Sequence, residues 1–269
     1  MGTGIAQSFL AAGASVVLVD RDEPGLRSAI EHIGDGLRRQ WKERFDADTL
    51  VDSALRRLEI GVEIPVSEDT ELAIEAVPED LKLKKQVLKS IDERQPHSAV
   101  VASNTSSLSI AELSDVLTDP TRFIGMHFFN PVPRSALIEL VTFATTSEST
   151  LAAAKGWADF LGKTAIVVED SPGFATSRLG LALGLEAIRM LEDGVASAED
   201  IDRGMVLGYR HPVGPLHLTD LIGLDVRLGI AEHLAGKLGD RFEPPMLLRR
   251  MVAVGKLGQK SGEGFYRWD

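Results

Sequence analysis

The chain contains no cysteine in 269 residues, which excludes disulfides, thiolate catalysis and cysteine-ligated metals and is compatible with a reducing cytoplasm. Basic charge is in deficit, since 29 Lys and Arg stand against 40 Asp and Glu for a net charge of −11. That balance argues against a nucleic-acid surface, although a phosphate-bearing small ligand needs only a local cluster of lysines and arginines. No apolar run approaches the roughly 18 residues of a membrane span, and the first stretch lacks the charged n-region and cleavage site of a secretion signal. There is no internal repeat and no low-complexity tract. What is present is a 44% hydrophobic content, enough for real cores in one large or two ordinary domains. The composition predicts a soluble, cytoplasmic globular protein whose partners are small molecules, with no nucleic acid and no membrane.

The order of apolar patterns reads as an α/β domain followed by a helical one. Ile5 to Ala12 predicts a helix stopped at Gly13, and "SVVLVD" predicts a buried strand, because β-branched residues run continuously as in a parallel sheet covered on both faces. Leu26, Ile30, Ile33, Leu37 and Trp41 recur at steps of three and four between Glu23 and Phe45. Leu50, Ala54, Leu55 and Leu58 repeat the pattern, so a helical hairpin is expected. "LAIEAV" (72–77), "AVVAS" (99–103), "FIGMHF" (123–128), "LIELVTF" (137–143) and "AIVVE" (165–169) predict strands, separated by helices at 82–95, 109–116 and 148–161. Such alternation predicts a doubly wound α/β sheet. After "EDSPGF" the strands stop and helical patterns take over, which sets an expected boundary near Asp170 between domains 1–170 and 171–269. Ser197 with Asp200 is a capping-box pattern within the second domain. A helical domain rich in Leu, Ile and Met is expected to bury surplus apolar surface against a second copy.

Three groups of residues could carry chemistry. Asp20 ends a strand 18 positions after Gly2, near the separation of about 20 expected for the carboxylate that takes the ribose hydroxyls of NAD and repels the 2′-phosphate of NADP. A solvated strand end is the plainer reading. In "SNTSSLSIAEL" polar residues crowd after a buried strand, at the sheet edge where ligands bind. Ser109 with Glu112 caps the following helix and leaves Ser106 and Ser107 to point elsewhere, with ordinary turn chemistry as the alternative. His127 lies at the same edge, before a turn stiffened by Pro131 and Pro133, and Glu139 follows within the next strand pattern. A glutamate inside an apolar strand is costly to bury unless paired, and the imidazole across the turn is its expected partner. A histidine with its tautomer held by a carboxylate suits a general base, and a structural pair is the alternative.

The remaining histidines, His32, His97, His211, His217 and His233, show no paired spacing suited to a metal, so none is expected. Arg38, Arg39, Lys42 and Arg44 form one basic run, and Lys82, Lys84 and Lys85 another. Each reads as a solvated helix face or as a contact for a polyphosphate ligand. Arg134 reads as a solvated residue or as the partner of a substrate carboxylate.

The stretches "GTGIAQ", "VVLVDRD", "EAVPEDLKLK", "SNTSSLSI", "GMHFFNPVP", "DSPGF", "GPLHLTDLIGLD" and "GQKSGEGFY" occur in this order, and together they resemble the L-3-hydroxyacyl-CoA dehydrogenase family across essentially the whole chain. The resemblance implies a Rossmann-like NAD domain with a helical hairpin, followed by a helical dimerisation and substrate domain. It implies NAD as cofactor, an acyl-CoA substrate and a homodimer. It matches His127 to the catalytic base, Glu139 to its carboxylate partner and Ser106 to the serine that holds the substrate hydroxyl and the cofactor. Asp20, Glu79, Lys84, Asn130 and Lys260 match positions associated with NAD, Lys84 and Ser106 also lie near the acyl-CoA, and Gly2 matches the third glycine of the phosphate-binding fingerprint.

Three departures stand out. Ser177 in "GFATSRL" replaces an asparagine of the family, so altered or reduced activity is expected. The family's CoA-contacting hairpin positions fall on Gly36 and Glu43, with Arg39, Lys42 and Arg44 as neighbouring substitutes. The fingerprint Gly-x-Gly-x-Met-Gly of relatives reaches this chain only from its methionine onward, so a longer product carrying the first strand and first two glycines is expected. A dehydrogenase of a free hydroxy acid, gulonate type, and a catalytically degenerate dimeric binding protein are the competing readings.

Overall fold

The computed structural model describes residues 1–268, and the chain divides into two compact units, Met1–Asp170 and Ser171–Asp269. The first opens with helix α1 (Gly2–Ala12), ended by Gly13 in the left-handed conformation with φ 107°. A residue with a Cβ rarely adopts that geometry, and glycine adopts it freely. Strand β1 (Val16–Val19) is followed by the hairpin of α2 (Glu23–Gln40) and α3 (Ala47–Leu55), then β2 (Leu58–Gly61). Next come β3 (Leu72–Glu75), α4 (Leu81–Arg94), β4 (Val100–Ser103), α5 (Ile110–Ser114), β5 (Phe123–Phe128), β6 (Leu137–Thr142), α6 (Glu148–Phe160) and β7 (Thr164–Glu169).

The strands form two sheets. β1 pairs in parallel with β2, and a five-stranded sheet has the order β3-β4-β5-β6-β7. All ladders of the larger sheet are parallel except β5 with β6, which is antiparallel. A parallel return needs a crossover of about a dozen residues or more. The segment 129–136 is too short for one, so the chain must turn back on itself. The sheet is therefore mixed, where continuous apolar strands had suggested a parallel one.

Ile5 and Phe9 of α1 pack with Ala102, Ile124, Met126, Ile138 and Leu140 of the sheet and Ala154 and Ala158 of α6. Burying each such large apolar side chain stabilises the fold by about 1.5–3 kcal/mol. Ala6 and Leu10 of α1 meet Ile33 and Leu37 of α2 and Val51 and Ala54 of α3 in a second cluster. Gly36 lets α2 approach α1 closely, since a Cβ there would lie 2.2 Å from Gln7 Oε1.

Three expectations need correction. Leu58 does not continue the helical pattern of Leu50 to Leu55. The chain leaves α3 and pairs with β1, with Leu58 opposite Val16, while the Arg57 guanidinium ties the junction to the carbonyls of Leu10 and Ala14. The first hairpin helix ends at Gln40, and Phe45 is fully exposed. Its apolar side chain had extended the periodicity without any core to meet. β1 has a ladder only to β2 and leaves Val17 48% exposed, so it is not covered on both faces.

Ser171–Asp269 is helical, with α7 (Thr176–Glu192), α8 (Ala198–Arg203), α9 (Pro215–Ile222), α10 (Leu224–Leu238) and α11 (Met246–Ala253). Leu181, Leu185, Leu216, Leu224, Ala231, Leu234 and Leu248 form its core. Two buried aspartates staple the C-terminal segment to these helices. Asp220 accepts from the backbone N–H groups of Phe265 and Tyr266 at 2.9 Å each and from Trp268 Nε1 at 2.8 Å. Asp202 accepts from Leu216 N, His217 N and the Tyr266 hydroxyl, each at 2.8 Å. The motifs "HLTDLIGLD" and "GEGFY" thus meet at one carboxylate. Gly258 and Gly264 allow it, since a Cβ would lie 2.3 Å from the Asp220 carbonyl oxygen and 2.2 Å from Asp220 Oδ1, respectively.

Candidate active site

β5 and β6 place His127 directly opposite Glu139 in the antiparallel ladder, so both side chains rise on one face of the sheet. Nδ1 of His127 lies 2.7 Å from Oε2 of Glu139, with the imidazole 9% exposed and the glutamate side chain fully buried. A carboxylate can only accept here, so Nδ1 carries the proton and the basic lone pair is on Nε2. The Phe129 ring, 4.5 Å from the imidazole centroid, bounds the site. Lys163 holds the intervening turn by donating to the carbonyls of Val132, at 2.7 Å, and Ser135. Burial pushes the pKa of this lysine down.

The segment after β4 is organised by one carboxylate. Glu79 Oε1 accepts from Thr105 Oγ1 at 2.6 Å, from the backbone N–H of Ser106 at 2.9 Å and of Ser107 at 3.0 Å, and from the hydroxyls of Ser107 at 2.9 Å and Ser106 at 3.3 Å. Ser106 and Ser107 are therefore held by Glu79, where the capping argument had left them to point elsewhere. Burial raises the Glu79 pKa, but the Thr105 hydroxyl, the Lys84 charge and the Ser106 and Ser107 hydrogen bonds outweigh it and leave the carboxyl below its ordinary value. Asn104 Oδ1 accepts from Phe128 N at 2.9 Å, which ties the serine segment to the residue after His127. Ser109 caps α5 at Glu112 N and also donates to Asp170 at 2.7 Å.

Beneath this segment lies a buried ionic group. Lys84 is 1% exposed and donates to both oxygens of Glu75, at 2.9 and 3.1 Å, and to the Val77 carbonyl at 3.0 Å, with Glu79 Oε2 at 3.3 Å. Glu75 also accepts from Ser103 Oγ at 2.6 Å and Val77 N at 2.6 Å. Sequence reasoning missed Glu75, Asn104 and Lys163. Glu75 was within reach, because a glutamate ending the apolar strand "LAIE" invites the same question of a partner as Glu139.

The other sequence candidates sit on several different elements. Asp20 is exposed just past β1, with its N–H bonded to the Gly61 carbonyl at 3.2 Å. Gly2 opens α1, which has no side-chain cap and no acidic residue in its first turn. Asn130 is exposed and precedes a cis peptide to Pro131, and Arg134 is exposed in the same turn. Ser177 lies in the first turn of α7, and Lys260 forms an ion pair with Asp225. Arg38 and Arg44 are paired with Asp35 and Asp46 of their own hairpin, while Arg39, Lys42 and Glu43 are exposed. Lys85 pairs with Asp115, and Lys82 is exposed. Among the described residues no group of three or more His, Asp or Glu side chains is placed to hold a metal ion, and no helix is long and apolar enough to cross a membrane.

Two family models match the chain. One, described as "3-hydroxyacyl-CoA dehydrogenase, NAD binding domain", covers residues 1–171, and the other, "3-hydroxyacyl-CoA dehydrogenase, C-terminal domain", covers residues 173–268. A probable 3-hydroxybutyryl-CoA dehydrogenase of Bacillus subtilis is 40% identical over 270 residues, spanning 100% of this chain and 94% of that protein. The mitochondrial hydroxyacyl-coenzyme A dehydrogenase of Sus scrofa is 38% identical over 276 residues, spanning 100% of this chain and 88% of that protein. Among solved structures, an (S)-3-hydroxybutyryl-CoA dehydrogenase from Ralstonia eutropha superposes with a TM-score of 0.95 at 41% identity, covering 100% of this chain and 95% of that one.

Proposed function

The chain belongs to the 3-hydroxyacyl-CoA dehydrogenase family of NAD-dependent oxidoreductases, and on that premise we propose that His127 is the general base in its reversible oxidation of a 3-hydroxyacyl-CoA to the 3-ketoacyl-CoA. The observation that carries this reading is the 2.7 Å contact between His127 Nδ1 and Glu139 Oε2. Nε2 takes the proton of the C3 hydroxyl as the carbonyl forms. Glu139 keeps the ring in the required tautomer and stabilises the imidazolium that results. NAD, when bound, accepts the hydride leaving C3.

The residues of the first unit fit that cofactor. The start of α1 offers backbone N–H groups and the positive end of the helix dipole without a competing acidic side chain, which suits a pyrophosphate. The exposed Asp20 carboxylate suits ribose hydroxyls and disfavours a 2′-phosphate. Ser106 holds the substrate hydroxyl, with Glu79 setting the path of its backbone. Lys84 acts through Glu79, because its amine is enclosed by Glu75, Glu79 and the Val77 carbonyl. Asn130 and Lys260 serve the cofactor, a role supported by their matched motifs, and Ser177, standing at the position of the family asparagine, serves the substrate. Residues 1–170 form the cofactor-binding domain and 171–269 the substrate and dimerisation domain. Leu179, Leu207, Tyr209, Met246 and Val254 of the latter are each more than 60% exposed, which supports a homodimer that covers part of this apolar surface.

NADH absorbance followed with acetoacetyl-CoA, and then with free keto acids, tests the assignment. Turnover of the thioester is the expected result. Turnover of a free acid alone would move the enzyme to the gulonate type, and absence of both would reduce it to a binding protein. Light scattering on the purified chain tests the dimer.

A further inference from the structure

Arg227 occupies a position that the pattern of α10 reserves for core residues, with Leu224, Ala231 and Leu234 on the same buried face. It is only 5% exposed, and among the described residues its Nε has no hydrogen-bond partner. Burial alone pushes its pKa down to about 10, with no carboxylate opposing the shift. The group therefore remains a cation at neutral pH. Burying an unpaired charge is costly, and natural structures keep such a group when something else neutralises it.

The guanidinium faces one side of α7. Positions 180 and 184 of α7 are glycines, and a Cβ at Gly180 would lie 3.8 Å from Arg227 Nη1, while one at Gly184 would lie 3.8 Å from Cζ and 4.0 Å from Nη2. A Cβ at the buried Gly184 would first meet Thr219 Oγ1, at 3.3 Å, so the small residues at these positions let α7 lie directly against the guanidinium and Thr219. Ser177, Gly180 and Gly184 share one stripe of α7, since seven residues bring a helix back to within about 20°. Gly180 stands about 4.5 Å along the axis from Ser177 and Gly184 about 10 Å. The fork of Arg227 is thus presented one to two turns beyond the residue that replaces the family asparagine.

We propose that Arg227 is a receptor for a carboxylate carried by the substrate, bound along the Ser177–Gly180–Gly184 stripe of α7. The inference rests on the assignment of Ser177 to the substrate. A planar guanidinium with adjacent N–H donors matches a carboxylate in a bidentate fashion. Two sources supply that chemistry, the far end of an acyl chain on CoA and the acid group of a free 3-hydroxy acid.

The test compares 3-hydroxyacyl-CoA substrates of equal length ending in methyl or in carboxylate, together with a free 3-hydroxy acid, in the wild type and in Arg227→Met and Arg227→Lys. Arg227→Met is expected to fold with an unchanged or higher melting temperature, because an unpaired buried charge is removed at similar volume. The wild type is expected to favour a carboxylate-bearing substrate by roughly ten- to hundredfold in kcat/KM. Arg227→Met abolishes the preference while retaining turnover of the methyl-ended thioester, and Arg227→Lys keeps part of it. Preference for the carboxyl-ended thioester or for the free acid identifies the source. Independently of turnover, glutarate should raise the melting temperature of the wild type and not of Arg227→Met, so the site is testable even if the dehydrogenase assignment fails. Equal kcat/KM for the two chain ends with no glutarate effect overturns the proposal. So does a change of oligomer mass in Arg227→Met with selectivity unaltered, which would place the guanidinium's partner on a second copy.

Discussion

His127 and Glu139 are register partners across an antiparallel ladder, joined by a 2.7 Å hydrogen bond inside the sheet. The imidazole is held by a rigid strand on one side and a fully buried carboxylate on the other. His127→Gln is expected to lower kcat by roughly 10²–10⁴-fold, and Glu139→Gln by a smaller factor, both with little change in KM for NAD. Steady-state kinetics check this, and a Glu139→Gln enzyme with full kcat would contradict the role given to the pair.

The ionic group of Glu75 and Lys84 makes a different prediction. Lys84→Met strands a buried carboxylate, which is expected to cost about 3–5 kcal/mol of stability. Combining it with Glu75→Leu removes both charges and is expected to recover most of the loss. Urea unfolding of the single and double variants is the measurement, and additive losses would show that the two residues do not act as a pair.

Gly258 has a φ of 91° and faces the backbone of Asp220, which cannot yield like a flexible side chain. Gly258→Ala combines left-handed strain with overpacking, so a loss of roughly 2–5 kcal/mol is expected. Because Asp220 anchors Phe265, Tyr266 and Trp268, Trp fluorescence should report release of the C-terminal segment. A variant with wild-type melting temperature and emission would refute this account.

Stability should also fall in acid for identifiable reasons. Burial raises the Asp92 pKa, but hydrogen bonds from Thr118 and Arg122 and the Arg122 charge prevail and leave it below its ordinary 3.8, and Glu79 lies below its ordinary 4.5. A carboxyl with a lowered folded pKa binds protons more weakly in the native state. Its contribution is full above the ordinary value and is lost as pH falls through the folded one. Melting temperature is therefore expected to be insensitive to these two groups above about pH 5 and to decline below about 4.5. Asp92→Asn should flatten part of that decline, at the cost of leaving Arg122 without its 2.7 Å ion-pair partner.

Local pattern reaches far in this protein. The apolar strands, the helix stop at Gly13 and the serine caps at Ser109 and Ser197 are set by nearest-neighbour sterics and by hydrogen bonds within a few residues. For that reason the alternation of strands and helices, and with it the α/β class, was legible from residue order alone. The motifs that signal the family were legible for the same reason, each being a short run of chemistry-bearing residues. Even the reversal of β6 was implicit in a connection too short to cross over.

Pairing partners distant along the chain belong to the tertiary structure. Nothing in "LEIG" distinguishes the end of a helix from a strand until β1 offers its free ladder. Nothing near Glu79 announces that it will gather Thr105, Ser106 and Ser107, or near Arg227 that two glycines some forty residues earlier will face its charge. These arrangements depend on which surfaces the packed core brings within 3 to 4 Å, and that distance is a property of the folded chain as a whole.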